Sequence, residues 1–441
     1  MSAELLEAAR AAVRLALRSG AQEAAAAASR SRHVELTWRD GKVETASEAT
    51  TRGLGIDLYV DGRYASVSTS DLRPEAIERL VRDGVALTRT LAPDPFRVLP
   101  DPALYEGRAQ LDLELADPSQ DRLDAVARRR TVAAIEEAAR SVPGADRILS
   151  VSASVGDSSG ERALVTSNGF EGLRGGTDFG MAAEVSVTDP DGRRPEDWDA
   201  ATARFHLDLP PAAEIGRGAA TRALSRIGSE KGDSAVTPVV VDARAAGRLL
   251  GPLLGALSGS ALQQKRSFLE GMIGKSIGSE RLDVADDPFV VRGLGSRLWD
   301  GEGMASRPFP VIEQGVLRNC YVDTYYGRKL GMAPTTARVS NLSWPLGAVG
   351  RDGLLAEMGD GLLVTGFLGG NSNSTTGDFS LGVQGFRVRA GRIEGPVGEM
   401  NASGNHRELW QQLAAVGNDP YRFSAMRTPS LLFSGIQIAG K

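Results

Sequence analysis

The hydrophobic pattern of the first 70 residues changes from a helical period to a strand period. Within residues 3–17, apolar side chains recur every three or four positions, which predicts an amphipathic helix that stops at Gly20. From His33 onward, apolar and polar residues alternate, and Asp40-Gly41 and Asp61-Gly62 each interrupt an alternating run. An Asp-Gly pair at such a place is typical of a two-residue hairpin turn. We therefore expect two β-hairpins after the first helix.

The rest of the N-terminal half repeats this alternation of helices and strands. Helical periodicity predicts helices over residues 74–89, 122–140 and 211–226, and residues 91–118 are rich in Pro and Asp, which favours a long loop. Strand patterns follow residue 148 and resemble those of residues 33–70, which suggests an internal repeat. Residues 228–234 have the composition of a linker. We therefore divide the chain into an N-terminal domain, residues 1–230, and a C-terminal domain, residues 231–441.

The second domain is predicted to be organised around residues 239–269. A short β-branched strand ends at Val241, and Asp242 is placed to cap the helix that follows. Five leucines share one broad face of that helix, and Gly247, Gly251 and Gly255 lie between them. Because glycine weakens a helix, we expect these positions to allow close approach of another backbone. The leucines are Leu249, Leu250, Leu253, Leu254 and Leu257.

The remainder of the chain is predicted to be rich in strands from Lys275 onward. Strand patterns cover residues 361–364, 382–389, 392–397 and 430–438, and a last helix is expected over residues 407–416. Helices and antiparallel hairpins are mixed without βαβ regularity, so the predicted fold class is α+β, with a strand-rich C-terminal domain built around the Gly/Leu-rich helix.

Composition narrows the possible environments and partners. The 441 residues carry a formal net charge of −5, which argues against nucleic acid or an anionic membrane as the main partner. One cysteine excludes an internal disulfide framework and favours a cytoplasmic location. No apolar run has the length of a membrane span, and the N-terminus lacks the features of a signal peptide.

Few residues are candidates for catalysis or metal binding. The chain has only His33, His206, His406 and Cys320 as nitrogen or sulfur donors of the kinds that usually bind zinc, and no His-Glu-x-x-His pair occurs. We expect no metal site, a buried structural thiol at Cys320 within an alternating strand, and a role for His406 in a helix cap. No serine has the local signature of a nucleophile.

Two acidic segments admit a catalytic interpretation. These are the pair Asp286-Asp287 and the segment that contains Asp300 and Glu302, whose carboxylates would share one face if that segment were an extended strand. Asp next to Pro or Gly is common in turns, so we favour turn and cap roles for all four residues.

The most polar stretch of the chain is residues 369–380. Its small polar side chains and backbone N–H groups are suited to gripping an extended peptide or an anion, while a plain hairpin connection is an equally good interpretation. The candidates for substrate or interface contact are Asn371, Asn373, Thr375, Thr376, Asp378 and Ser380.

Four stretches together resemble the TldD/PmbA family of peptide-maturation proteases. They are residues 253–277, 286–331, 373–400 and 429–440, and they contain Asp-Asp-Pro, Asp-Gly-Glu-Gly and Thr-Gly-Asp-Phe-Ser in that order. The resemblance covers nearly all of the second domain and, more loosely, the hairpins of the first. In the family, TldD-like chains carry His-Glu-x-x-x-His on the central helix and a zinc-binding cysteine near the C-terminus.

This chain departs from the metal-binding pattern at every matching position. Gly251 and Ala256 occupy the two histidine positions, Pro252 occupies the glutamate position, and residues 416–419 of the cysteine region contain no thiol. Five residues of regular helix separate side chains by about 140°, so the family's motif itself needs a locally widened turn. The departures are similar to those of the TldE (PmbA) subunit, the partner without metal.

The resemblance therefore implies a non-catalytic subunit of a heterodimeric zinc metalloprotease. Such an enzyme degrades unfolded peptides or removes leader peptides, and a TldD-like partner would supply the zinc, the zinc-activated water and the catalytic glutamate. No cofactor is expected in this chain. Two alternatives stay open: a homodimeric peptide-binding or modulator protein without protease activity, and a stand-alone hydrolase with an unidentified nucleophile.

Overall fold

The alternating runs of the N-terminal half form one six-stranded antiparallel sheet. The structure is a computed structural model and describes residues 2–441. In the sheet the strands are ordered β3-β2-β1-β4-β5-β6. Their bounds are β1 Glu23–Arg39, β2 Lys42–Val60, β3 Arg63–Thr69, β4 Ile148–Thr166, β5 Glu171–Val187 and β6 Glu196–Ala203.

Both predicted Asp-Gly hairpin turns are confirmed. Asp40 and Gly41 join β1 to β2 with φ angles of 46° and 82°, and Asp61 and Gly62 join β2 to β3 with φ angles of 50° and 71°. Positive φ at both central positions matches the right-handed twist of the strands, and Asp-Gly adopts it at low cost.

Four helices accompany this sheet, and the order of elements occurs twice. One helix, three strands and a second helix are followed by the same series, and the two three-strand halves meet at the antiparallel pair β1–β4. Alternate residues of β1, such as Ala24, Ala26 and Ala28, pack with the helices, so the intervening residues face the opposite side. The helices are α1 Ser2–Arg18, α2 Pro74–Thr88, α3 Ala125–Arg140 and α4 Ala212–Leu224.

The C-terminal half contains a second six-stranded sheet that closes on itself. Its strands are ordered β14-β13-β12-β7-β16-β15, and an additional pairing of β14 with β16 completes the closure. The strands β7 and β12 pair in parallel, and the other strand pairs that the structure describes in this sheet are antiparallel. The strands are β7 Ala235–Val241, β12 Gly361–Ser372, β13 Asp378–Arg389, β14 Arg392–Asn405, β15 Leu413–Val416 and β16 Leu431–Ala439.

Short strands and helices fill the segment between β7 and β12. A four-stranded sheet has the order β10-β9-β8-β11. Its strands are β8 Val284–Asp287, β9 Phe309–Glu313, β10 Val316–Leu317 and β11 Asn341–Ser343. The helices of this half are α5 Ala243–Ala256, α6 Gly259–Gln263, α7 Thr324–Leu330, α8 Arg351–Met358 and α9 His406–Leu409. The α+β class and the strand-rich second half are therefore confirmed.

The two halves meet through a small aromatic cluster. Phe170 of the N-terminal half and Trp299 of the C-terminal half are edge to face, with ring centroids 5.1 Å apart, and Leu164 packs beside them. Residues 228–234 connect the halves, and Glu230 forms a bridge with Val397 of β14. No helix within residues 2–441 combines the length and the apolar character needed to cross a bilayer.

Two predictions of secondary structure are wrong. The last helix stops after His406–Leu409, since a 3₁₀ turn follows and Leu413–Val416 pairs with β16 as a strand. Cys320 is not in an alternating strand, because β10 ends at Leu317 and Asp323 caps α7 through the N–H of Tyr326 at 2.7 Å. The thiol of Cys320 is nevertheless buried, as expected.

Candidate functional site

The candidate site starts from α5, the helix predicted from the leucine pattern. Asp242 caps it by accepting a hydrogen bond from the N–H of Arg244 at 3.0 Å. Its five leucines are all buried, with exposed fractions of 0 to 9 % for Leu249, Leu250, Leu253, Leu254 and Leu257. The predicted apolar face of the helix is therefore confirmed.

Within residues 2–441, no other backbone approaches the glycines of α5. A methyl group added at Gly251 or Gly255 would meet nothing within 4 Å. At Gly247 it would first meet the sulfur of Met426, a side-chain atom, at 3.4 Å. Gly251, Gly255 and the exposed Arg248 lie on the side of α5 away from the leucines. We call this side the open face of α5.

The three positions that match the metal motif do not converge. Gly251, on the open face, and the next residue, Pro252, are half-buried, whereas Ala256 is fully buried. The carbonyl of Ala256 accepts a hydrogen bond from Ser267 Oγ at 2.6 Å within the core. None of the three side chains has a donor atom for a metal ion. Among residues 2–441, no three or more His, Cys, Asp or Glu side chains are grouped to hold a metal, so these residues do not fit a zinc ion.

Residues 416–419, which match the family's cysteine region, are linked to the start of α5 through Ser430. Asp419 accepts hydrogen bonds from the N–H and the hydroxyl of Ser430 at 3.0 and 2.7 Å, and Ser430 Oγ accepts one from the N–H of Ala243 at 3.2 Å. Gly251 lies eight residues further along the helix, or about 12 Å. These polar contacts therefore stabilise the beginning of the helix.

The polar stretch 369–380 forms a hairpin at the ends of β12 and β13. Asn371 is in β12 opposite Ser380 in β13, the next candidates occupy the turn, and Asp378 begins β13. The candidates Asn371, Asn373, Thr375, Thr376, Asp378 and Ser380 are all exposed. We call residues 371–380 the polar hairpin.

Three of the candidate side chains shape the polar hairpin itself. Asn373 Oδ1 accepts a hydrogen bond from the N–H of Thr375 at 2.9 Å, and the hydroxyl of Thr376 donates to Asp378 Oδ2 at 2.6 Å. Asn405 donates from Nδ2 to the carbonyl of Thr376 and to Asp378 Oδ1, both at 2.9 Å. The bonds from Thr376 and Asn405 lower the pKa of Asp378, which keeps a negative charge at the hairpin surface.

The polar hairpin lies next to the open face of α5. Arg248 donates to the carbonyl of Gly369 at 3.4 Å, which joins the helix to the base of the hairpin. The N–H of Phe268 donates to the carbonyl of Ser374 at 2.9 Å, and the N–H of His406 donates to that of Gly377 at 2.8 Å. The hairpin is therefore held at a defined position beside the helix.

His406 does not act as the cap that the sequence suggested. Asn405 is the N-cap residue of α9, through a hydrogen bond from the N–H of Arg407 at 3.0 Å. The imidazole of His406 is fully buried. Burial lowers its pKa to about 4, so the ring is neutral at neutral pH. Sequence periodicity alone could not reveal this burial.

Three of the four acidic residues have the turn and cap roles favoured from the sequence, but Asp286 does not, because its carboxylate accepts hydrogen bonds from distant residues in the core. Asp287 accepts from the N–H of Phe289 at 2.9 Å, and Asp300 accepts from the N–H groups of Glu302 and Met304 at 3.0 and 3.1 Å. Glu302 accepts from the N–H and the hydroxyl of Thr324 at the start of α7, at 2.9 and 3.0 Å. Residues 300–303 form a turn rather than an extended strand, so the supposed common face of Asp300 and Glu302 is wrong.

Two of these carboxyl groups are more buried than turn residues usually are. Asp286 is 1 % exposed and accepts hydrogen bonds from Tyr321 Oη at 3.0 Å and from the N–H of Ser340 at 2.8 Å. Burial raises the pKa of Asp286, and it raises the pKa of Glu302 to about 7.

Several arginines also line a basic cavity that no sequence pattern indicated. Arg162 of β4 and Arg174 of β5 line one cavity together with Arg297 and Arg338 of the C-terminal half. These residues are separated by up to 176 positions and have no common motif, so only the packed structure brings them together.

The chain is similar to known proteins over nearly its whole length. Residues 24–88, 117–227 and 234–440 match the family models described as PmbA/TldA metallopeptidase domain 1, central domain and C-terminal domain. The Metalloprotease PmbA of Escherichia coli O157:H7 is 31 % identical, over 97 % of this chain and 94 % of that protein.

Two solved structures are also similar. One, from Bacteroides thetaiotaomicron, is described as a "putative modulator of DNA gyrase". Its sequence is 38 % identical and its TM-score is 0.95, and the match covers 99 % of this chain and 98 % of that protein's chain. TldE from Thermococcus kodakarensis has a TM-score of 0.88 at 22 % identity, with 98 % and 100 % covered, and shows the shared fold. The fold and these matches define a metallopeptidase-like class. The chain belongs to the TldD/PmbA family.

Proposed function

We propose that this chain is the metal-free, TldE/PmbA-like subunit of a cytoplasmic heterodimeric zinc metalloprotease. The proposal depends on one observation about the three positions that match the metal motif. Gly251, Pro252 and Ala256 have no metal-donor atoms, and they lie on different sides of α5. The name Metalloprotease PmbA, given to the Escherichia coli relative, supports a link to peptide hydrolysis. The zinc and the catalytic glutamate would then belong to a TldD-like partner.

In such a complex, this chain would contribute to holding the peptide. The exposed polar hairpin and the open face of α5 adjoin each other and offer small side chains and backbone groups. Main-chain hydrogen bonding to an extended peptide gives affinity with little dependence on sequence. That property suits an enzyme that degrades unfolded peptides or removes leader peptides.

A purification experiment tests the proposal. The chain is prepared alone and together with the TldD-like protein of its native host, and each sample is assayed for hydrolysis of an unfolded peptide and for bound zinc. We expect hydrolysis only with the partner, loss of hydrolysis with a chelator, and zinc in the partner. Chelator-sensitive hydrolysis by the isolated chain, with one zinc bound per chain, would defeat the proposal.

A second candidate function is a homodimeric modulator or peptide-binding protein. The similarity to the Bacteroides thetaiotaomicron protein, described as a modulator of DNA gyrase, favours it. Size-exclusion chromatography distinguishes the two candidates: a homodimer that persists when the TldD-like protein is added supports the modulator, and its replacement by a heterodimer supports the metalloprotease subunit.

A further inference from the structure

The side of the N-terminal sheet away from its helices borders two neighbouring cavities. Their volumes are about 630 and 350 Å³, and both are lined by Ser29 of β1 and Arg162 of β4. Residues of β1 from Ala25 to His33 line the pair of cavities. At about 3.3 Å per residue, this stretch of strand is roughly 26 Å long. The two cavities together therefore have the length of an extended peptide of several residues.

The larger cavity is strongly basic, although the whole chain has a net charge of −5. Seven arginines line it, against two carboxylates, those of Glu161 and Asp178. Asp178 pairs with Arg204 at 3.1 Å. Arg32 also pairs with Glu48, at 2.8 Å. The five other arginines still outnumber Glu161, the remaining carboxylate of the lining. We call the larger cavity the arginine cavity.

Arg162 is an arginine of this cavity whose hydrogen bonding is incomplete. It is half-buried, and its Nε is shielded from solvent and has no hydrogen-bond partner in the described chain. Burial lowers the pKa of Arg162. The negative charge of Asp57, in the smaller cavity, raises this pKa, and the positive charge of Arg338 lowers it. A buried guanidinium N–H without an acceptor costs free energy, which a bound oxyanion would recover.

Arg174 and Arg297 are held by neutral hydrogen-bond and ring contacts, while the carboxylates of Asp286 and Asp300 act on Arg297 electrostatically. Arg174 lies over the ring of Trp299 at 4.6 Å and donates to its carbonyl at 3.1 Å. Arg297 donates to the carbonyl of Val339 at 3.1 Å. Burial lowers the pKa of Arg174 to about 10, and the charges of Arg162 and Arg297 contribute to this shift. The guanidinium groups of Arg162, Arg174 and Arg297 therefore lie close enough for their charges to repel one another.

We propose that the arginine cavity binds a carboxylate of an extended peptide, with Arg162 and Arg174 as the main donors. Guanidinium groups match a carboxylate through paired N–H donors. The smaller cavity, lined in part by Ala25, Ala27 and Leu164, leaves room for the chain that carries this carboxylate. The proposal deepens the proposed function and rests on it for the peptide. The carboxylate is either the C-terminus of the peptide or an acidic side chain.

Calorimetric titration of the full-length chain with three octapeptides tests this site. All are N-acetylated and otherwise have uncharged side chains; one has a C-terminal amide, one a free C-terminus, and one an amide with a single internal Glu. We expect at least one carboxylate peptide to bind about tenfold or more tightly than the neutral one, since hydrogen bonds to charged groups contribute strongly. The identity of that peptide tells which source of carboxylate the site accepts.

Variants then locate the binding. Arg162→Gln should reduce the preference for the carboxylate peptide by roughly tenfold or more. Arg129→Gln, which removes the same charge from the exposed surface of α3, should leave the preference intact. Arg338→Gln, at an exposed residue on the opposite wall, gives a second variant if Arg162→Gln does not fold, and it should also weaken the preference.

Three results would overturn the inference. They are equal binding of all three peptides, an equal loss of preference in the Arg129→Gln control, and binding of inorganic phosphate as tight as that of the carboxylate peptides. The last result would identify a site for a small free anion. Because the titration needs no TldD-like protein, its failure leaves the test of the zinc-dependent complex unaffected.

Discussion

The imidazole of His406 lies parallel to the ring of Phe268, with ring centroids 5.8 Å apart and an angle of 12° between the planes. Phe379 covers the same imidazole at 5.1 Å. Neither ring nitrogen of His406 has a hydrogen-bond partner in the described residues. Phe268 and His406 also bind the carbonyls of Ser374 and Gly377 in the polar hairpin. A neutral His406, packed between two phenylalanine rings, therefore supports the polar hairpin.

We predict that protonation of His406 destabilises the fold in mild acid. The unfolded chain binds a proton at this side chain near its ordinary pKa of 6.5, whereas the folded chain does so only near 4. The unfolded state therefore gains protons first, and the free energy of unfolding falls as pH is lowered from about 6.5 to 4, by roughly 3 kcal/mol. Urea unfolding at several pH values measures this contribution.

Replacing the ring isolates the effect of His406. His406→Phe should fold and should lose the part of the pH dependence that lies between pH 6.5 and 4. His33→Phe, at an exposed histidine, should keep the wild-type dependence. If His406→Phe and the wild type lose stability in parallel over this range, the imidazole is not buried in the neutral form.

We predict that Glu302 has the opposite dependence on pH. Its pKa is raised from 4.5 to about 7, mainly by burial, so the folded chain keeps a proton that the unfolded chain releases. The contribution of Glu302 is favourable in acid and is lost as pH rises from about 4.5 to 7. Glu302→Gln keeps an acceptor for Thr324 and should therefore be more stable than the wild type above pH 7, by up to about 3 kcal/mol.

A second Glu→Gln variant controls for the general effect of replacing a carboxylate by an amide. Glu313→Gln changes an exposed carboxylate and should give a difference from the wild type that varies little across this range. Thermal unfolding of the three proteins between pH 5 and 8 provides the measurement. A Glu302→Gln variant less stable than the wild type at pH 8 would show that the carboxylate is ionised and favourably bound there.

We predict that restoring the family's metal motif will not create a zinc site. In the triple variant Gly251→His, Pro252→Glu, Ala256→His, the two histidines would lie about 140° apart on a regular helix. Ala256 is fully buried, so a histidine there overfills the core at a cost of about 1–3 kcal/mol or more. Metal analysis after gel filtration should find no stoichiometric zinc.

The single variant Gly251→His separates folding from metal binding. A side chain at this position points into open space, so its melting temperature should remain close to that of the wild type. One zinc ion per chain in the triple variant would contradict the helix geometry and would mean that α5 can widen at this turn.

Local signals in the sequence were sufficient for much of the fold. The two Asp-Gly turns, the leucine face of α5 and its Asp242 cap follow from backbone stereochemistry and helical spacing over a few residues, and the structure has all of them. The helix predicted over residues 407–416 is wrong because pairing with β16 and burial of Trp410 override the local pattern. Around Cys320, Tyr321 forms a bridge with the distant Ser258 instead of continuing a strand. Neither contact can be inferred from neighbours in sequence.

For the candidate site, the sequence by itself determined which chemical groups are present and which are missing. It places no donor atoms at Gly251, Pro252 or Ala256, and this holds in any conformation. Only the tertiary structure decided the environments: the burial of His406 and the meeting of Arg162 with Arg297 depend on contacts between segments far apart in the chain. Burial and the repulsion between charges depend on which segments pack together in three dimensions, so no local sequence pattern specifies them.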